Sequence, residues 1–268
     1  MKRLLSSFMF VGIVAALAGG AAAAREPLHG VNLTWSNGDS LHDCWSGANG
    51  HQLLATWACD TDAAGPWTLV GSFRLWEDMP QFLVISATLD AQSVSANLPD
   101  WWQVWNPGSC RQSSLTVSSD FRSGYSTATC HDPLGGKGSG GIGAWQTTLY
   151  PPPAPLNVPR LNRWRLKCAW ALQTSRLLSA TYEWYAFSAT FDAAHTATEL
   201  PLCGGCDVPV SIVLNEIQLL PETGLATAET LTEALDNSCV YWQAADPSIC
   251  PHVAVRARTW GQLKSLYR

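Results

Sequence analysis

The sequence is poor in charge: Lys, Arg, Asp and Glu make up 14% of it, and 21 acidic residues outnumber 16 basic ones. A nucleic-acid-binding surface needs a basic face, so this balance argues against DNA or RNA as a partner. Metal-binding spacings are missing too. The six histidines (29, 42, 51, 131, 195 and 252) contain no His-x-x-x-His pair, and the acidic residues form no Asp-x-Asp-x-Asp-Gly loop, which removes the common zinc and calcium patterns. The glycines around Lys137, over 135–141, lack the spacing of a phosphate-binding loop and read as a flexible loop. No metal site and no cofactor are expected. Helical periodicity is scarce, and beyond residue 24 no apolar run is long enough to span a membrane.

The first 24 residues read as an export signal. Lys2 and Arg3 form a basic start, 4–20 a largely apolar run without charge, and Ala22-Ala23-Ala24 a small-residue cleavage site. Its removal takes the formal net charge from −5 to −7. Residues 25–268 are expected to form a single β-sandwich domain. The alternative is two β domains, 25–149 and 160–268, joined by the stiff Tyr150-Pro151-Pro152-Pro153-Ala154-Pro155 segment. The expected location is secreted, extracellular or periplasmic.

All nine cysteines follow residue 24, and export carries them to a compartment where disulfides persist. Spacing does not fix connectivity, but short loop closure favours neighbours: Cys44 with Cys59, Cys110 with Cys130, Cys203 with Cys206 and Cys239 with Cys250, leaving Cys168 as the odd thiol. Closing a loop of roughly 15 residues is worth about 3 kcal/mol. Cys203-Gly204-Gly205-Cys206 also has redox-pair spacing, yet an apolar β-branched run follows it in place of the helix that would activate a thiolate.

Runs rich in Val, Ile, Thr, Phe and Trp, bounded by Gly, Pro, Asn and Asp, predict strands over 30–35, 67–75, 81–89, 113–118, 164–172, 181–191, 208–220 and 253–260. One helix is predicted over 228–237, with Thr227 as cap and Leu231 and Leu235 on one face. A weak internal repeat overlays Ser86-Ala87-Thr88-Leu89-Asp90-Ala91 on Ser188-Ala189-Thr190-Phe191-Asp192-Ala193, and Leu-Pro follows each Asp by eight residues. These features predict an all-β, disulfide-stabilised β-sandwich, jelly-roll-like, with two weakly repeated halves and at most one short helix.

Tryptophan is the compositional anomaly, at 14 residues. Its densest point is Leu98-Pro99-Asp100-Trp101-Trp102-Gln103-Val104-Trp105. If exposed, Trp101, Trp102 and Trp105 would make a platform on which sugar rings stack, with Asp100 and Gln103 hydrogen-bonding hydroxyls. If buried, they fill the core. Trp35, Trp57, Trp76, Trp164 and Trp184 read as inward residues of strands or their ends. Gly38-Asp39-Ser40-Leu41 resembles the opening of the GDSL esterases and lipases, which implies Ser40 as nucleophile, with His195 and Asp192 as base and orienting carboxylate. The resemblance stops at four residues and we read it as coincidental: no Gly-x-Asn-Asp block supplies oxyanion donors, and the α/β pattern of that fold is missing.

The segments Leu98-Pro99-Asp100-Trp101-Trp102-Gln103 and Cys203-Gly204-Gly205-Cys206, the latter leading into Val208-Pro209-Val210 and Ile212-Val213-Leu214-Asn215-Glu216-Ile217, resemble a family of secreted, Trp- and Cys-rich bacterial proteins of no assigned activity. The closing Trp260 to Arg268 stretch is similar to tails on exported proteins of such bacteria, which implies a sorting or docking segment. The resemblance implies export and nothing about mechanism. The expected function is a secreted or cell-surface, non-catalytic binding module, with a glycan or a cell-surface protein as partner. The alternatives are a structural envelope or filament subunit and a secreted hydrolase using Ser40.

Overall fold

The computed structural model describes residues 29–36, 44, 52–104, 108–125, 130–146, 161–222, 227–235 and 237–243. The leader, Ser40, Trp105, the proline segment, Cys250, the predicted strand at 253–260 and the closing tail lie outside them. In chain order the strands are β1 (Gly30–Ser36), β2 (Leu54–Ala55), β3 (Trp67–Arg74), β4 (Met79–Ser93), β5 (Leu115–Ser118), β6 (Cys130–His131), β7 (Ser139–Gln146), β8 (Arg163–Leu178), β9 (Glu183–Phe191), β10 (Val210–Pro221), β11 (Glu229–Leu231) and β12 (Cys239–Trp242). A single 3-10 turn at Asp100–Trp102 is the helical element among the described residues.

One sheet runs β1-β3-β9-β5, with β6 pairing parallel to β9. The other runs β2-β12-β10-β4-β8-β7, with β11 also on β10. Both sheets interleave strands from before and after the proline segment. Their facing sides share one core, to which β4 contributes Phe82, Ile85, Ala87, Leu89 and Ala91, and β9 contributes Trp184, Phe187, Ala189 and Phe191. The result is a disulfide-stabilised β-sandwich. The repeated segments are inner strands of different sheets.

Side-chain alternation explains the pairing, and bulges explain where alternation breaks. Val210, Ile212 and Leu214 point inward at even positions, whereas Ile217 and Leu219 do so at odd ones. The parity changes where the β10 register against β4 shifts between Leu214 and Glu216, since one extra residue returns apolar side chains to the core face. A second shift lies opposite Gly71 and Ser72 on β3. A Cβ on Gly71 would sit 2.2 Å from Cε1 of Phe187, so only glycine leaves room for that ring.

Every residue of β3 from Trp67 to Phe73 is buried, because the outer face of its sheet is also covered. There Phe121, Tyr185, Val70 and the Cys44–Cys130 disulfide form a second, small cluster. The Phe121 and Tyr185 rings stack at 4.5 Å and 13°.

The structure corrects three local expectations. Segment 228–237 is not a helix: β11 pairs with β10, and Val31 donates to Glu233 O at 2.8 Å while Leu235 donates to Val31 O at 2.7 Å. Leu231 and Leu235, four apart, also lie on one side of an extended chain, and the open edges of β10 and β1 supply hydrogen bonds for that conformation. Of the glycine-rich stretch predicted as a flexible loop, over 135–141, residues 139–141 open β7, which pairs with β8 from Ser139↔Ala171 to Gln146↔Trp164, while 135–138 form a turn before it. Among the described residues three disulfides join Cys44 to Cys130, Cys59 to Cys206 and Cys110 to Cys203, in place of the expected Cys44–Cys59, Cys110–Cys130 and Cys203–Cys206 pairs, whereas the expected Cys239–Cys250 pair reaches Cys250, outside the described residues. Cys203 and Cys206 therefore serve two different crosslinks, which also removes the redox-pair reading. Cys239 is disulfide-bonded as well, and Cys168 is free and buried.

Candidate functional site

Within the described part of the densest tryptophan segment, Trp101 and Trp102 are core. Trp101 and Trp102 are each 0% exposed, because the 3-10 turn, unlike the strand that would alternate them, turns both rings inward. They pack with Trp242 and Trp67: Trp101 lies 5.0 Å from Trp242, and Trp102 lies 5.5 Å from it. The turn is fixed by Trp101 Nε1 donating to Thr196 Oγ1 at 2.9 Å. Gln103 donates to Leu98 O and to Asp100 Oδ1, at 3.1 and 3.0 Å, so both polar candidates brace the turn. With their rings buried, Trp101 and Trp102 offer no stacking face.

Arg111, which the sequence reading passed over, closes this cluster. Its side chain is 0% exposed, its guanidinium carbon lies 3.7 Å from the Trp101 ring centroid, and it donates to Trp101 O at 3.3 Å and to Asp192 O. Burial pulls its pKa down to about 10, against the upward pull of Asp192. Asp192, 3.4 Å from Arg111, also caps Ala194 N at 3.1 Å, whereas His195 Nδ1 faces Glu199 O at 3.3 Å. Asp192 and His195 thus have separate partners, and no Asp–His hydrogen bond is present to orient a base for Ser40.

Among the described residues the exposed tryptophan is Trp76, read from sequence as inward and found 49% exposed. It follows the end of β3, the opposite end from Trp67. With His29, Gly30 and residues 228–233 it lines a recess of about 290 Å³. The His29 ring meets the indole edge-on, centroids 4.1 Å apart at 87°, and His29 Nε2 lies 3.6 Å from Glu233 Oε2. Glu229 accepts a hydrogen bond from the Trp76 backbone N–H; burial raises its pKa, that hydrogen bond lowers it, and the charge of Glu77 raises it further.

The floor of this recess is rigid for a topological reason. Segment 229–235 first pairs with β10 in one sheet and then with β1 in the other, so it stitches the sandwich shut beside Trp76. Gly30, at φ +133°, allows the close approach: a Cβ there would meet Glu233 O at 2.3 Å. A signal was present in the sequence. Trp76 is followed by Glu77-Asp78-Met79-Pro80, a charged, turn-forming context unlike that of an inward strand residue.

No protein-family model matches the chain, and neither does any curated protein or solved structure. What the recess can do follows from its groups. It combines an aromatic face, carboxylate acceptors at Glu229 and Glu233, and the hydroxyls of Thr230 and Thr232. Its charge is acidic, which suits a neutral ligand rich in hydroxyl donors and disfavours an anion.

Proposed function

We propose that the protein is an extracellular, non-catalytic module that binds carbohydrate at the Trp76 recess. The observation that carries this reading is the half-exposed indole at a rigid, carboxylate-lined recess. An indole covers the apolar face of a sugar ring, while acceptors at its rim take the hydroxyl protons. Exposing a tryptophan forfeits burial worth about 2–3 kcal/mol, and sugar stacking is a use that explains the exposure. Disulfides support an oxidising destination, as does the resemblance to secreted bacterial proteins. No helix of the described residues is long and apolar enough to cross a membrane.

The test is a titration of neutral oligosaccharides (cello-, chito-, manno- and galacto-oligomers) monitored by calorimetry and tryptophan fluorescence. The expected result is binding by at least one series, weakened tenfold or more in Trp76→Ala with an unchanged melting temperature. Binding by no series, or equal binding by Trp76→Ala, would overturn the proposal.

A further inference from the structure

A second recess, of about 600 Å³, has the opposite electrostatic character. It lies between the loop preceding β7 and the later part of β8, and its lining is Leu134, Gly135, Lys137, Leu172, Gln173, Thr174 and Arg176. Two cations and no carboxylate face it, in a chain whose formal net charge is −5. Among the described residues neither Lys137 nor Arg176 has a carboxylate within ion-pair distance. Arg122, packed under Gly136, is different: it is matched by Asp120, with Nε donating to Oδ1 at 2.8 Å and Nη2 to Oδ2 at 2.5 Å.

The Arg176 guanidinium and the backbone that carries Lys137 are also held in place. Arg176 Nη1 donates to Pro133 O at 3.3 Å, and its guanidinium carbon lies 5.8 Å from the Trp184 ring centroid. The loop that carries Lys137 is built around Asp132, whose carboxylate accepts from the backbone N–H groups of Leu134, Gly135 and Gly136 at 2.8, 2.9 and 2.9 Å. Lys137 N then donates to Leu134 O at 3.0 Å. Gly135 and Gly136 sit at φ +58° and +67°, which suits glycine and fixes the tight path. A recess formed before its ligand arrives loses little ordering entropy on binding.

We infer that this recess binds an oxyanion carried on a sugar-sized body, a uronate or a sulfated sugar, with Arg176 and Lys137 as its cationic contacts. Guanidinium suits planar carboxylate and tetrahedral sulfate, and the ammonium adds a mobile point charge. Gln173 and Thr174 supply donors for the sugar's oxygens. The inference stands apart from the Trp76 reading: a different recess, a different ligand charge and different residues carry it.

The experiment titrates the intact protein with tetragalacturonate, its methyl-esterified form and inorganic sulfate at low and moderate salt. The expected result is that tetragalacturonate binds, the ester does not, sulfate competes only weakly, and affinity falls as salt rises. Arg176→Gln and Lys137→Ala should each weaken binding about tenfold, with the melting temperature retained and neutral-sugar binding at Trp76 unchanged. The inference is overturned if the ester binds equally, if inorganic sulfate competes as well as the oligomer, or if the double variant binds like the parent. Loss of binding in Trp76→Ala with retention in the double variant would place the anion in the other recess and likewise overturn it.

Discussion

The carboxylate of Asp90 accepts two hydrogen bonds from the guanidinium of Arg165, from Nε at 2.7 Å and from Nη2 at 2.8 Å. Arg163 stands behind them, 3.7 Å from the same carboxylate, whose side chain is 7% exposed. The hydrogen bonds with Asp90 raise the pKa of Arg165. The other copy of the repeated segment uses the same residue: Asp192, just past the end of β9, pairs with Arg111, which precedes β5, the antiparallel neighbour of β9, as Arg165 lies in β8, the antiparallel neighbour of β4. Removing one partner of a buried pair leaves an uncompensated charge, at about 3–5 kcal/mol. Asp90→Ala is expected to lose about that much stability in urea denaturation, and Asp90→Asn less because it keeps one acceptor. A loss below about 1 kcal/mol for Asp90→Ala would mean the pair behaves as a surface ion pair.

Asp62 predicts an acid-sensitive contact. Its carboxylate accepts from the backbone N–H groups of Thr196, Ala197, Thr198 and Glu199, at 2.6 to 2.8 Å, and from Thr198 Oγ1 at 2.5 Å. These hydrogen bonds, that of the Thr198 side chain foremost, hold its pKa well below the ordinary carboxylate value. A carboxylate depressed in the folded state stabilises the fold fully above its unfolded pKa, and that contribution fades as pH falls below roughly 4. Asp62→Asn should therefore be less stable than the parent at pH 6, with the gap narrowing toward pH 2. Melting curves at pH 6, 4, 3 and 2 check it; a gap that stays constant would show that the effect is not ionisation of Asp62.

The strands that were legible are those whose own residues decide them. β1, β3, β4, β9 and β10 carry β-branched and aromatic runs, and each fell where predicted within a few residues. β7 was not legible, because glycine lowers strand propensity and its pairing depends on β8. A Cβ on Gly140 would lie 1.9 Å from Ala169 O, so glycine is what lets that edge approach. The partners in the three disulfides among the described residues were illegible for an energetic reason. Doubling a loop costs only about 0.6 kcal/mol, so preference for short loops is weak against a fold that places Cys59 beside Cys206, 147 residues away. Tryptophan density pointed at Trp101 and Trp102, yet density does not separate core from surface; the turn geometry and the local charge around Trp76 do.

Cys168 separates a binding module from a crosslinked subunit. Its thiol is buried on β8, where Sγ lies 3.8 Å from Ala87 O, and desolvation pushes its pKa up to about 12. Only a thiolate attacks a disulfide or an alkylating reagent, and both its formation and its access are blocked here. Iodoacetamide at pH 8 should leave the native protein unlabelled and label Cys168 once the chain is unfolded in guanidinium without reductant. Peptide mapping of that labelled chain should show Cys44, Cys59, Cys110, Cys130, Cys203 and Cys206 unmodified. The native protein should also run at the same mass with and without reductant, since a thiol enclosed between Ala87 and Ile142 in the strand register has no path to a second chain. Native labelling at Cys168, or a reductant-sensitive dimer lost in Cys168→Ala, would turn the reading toward a covalently linked assembly.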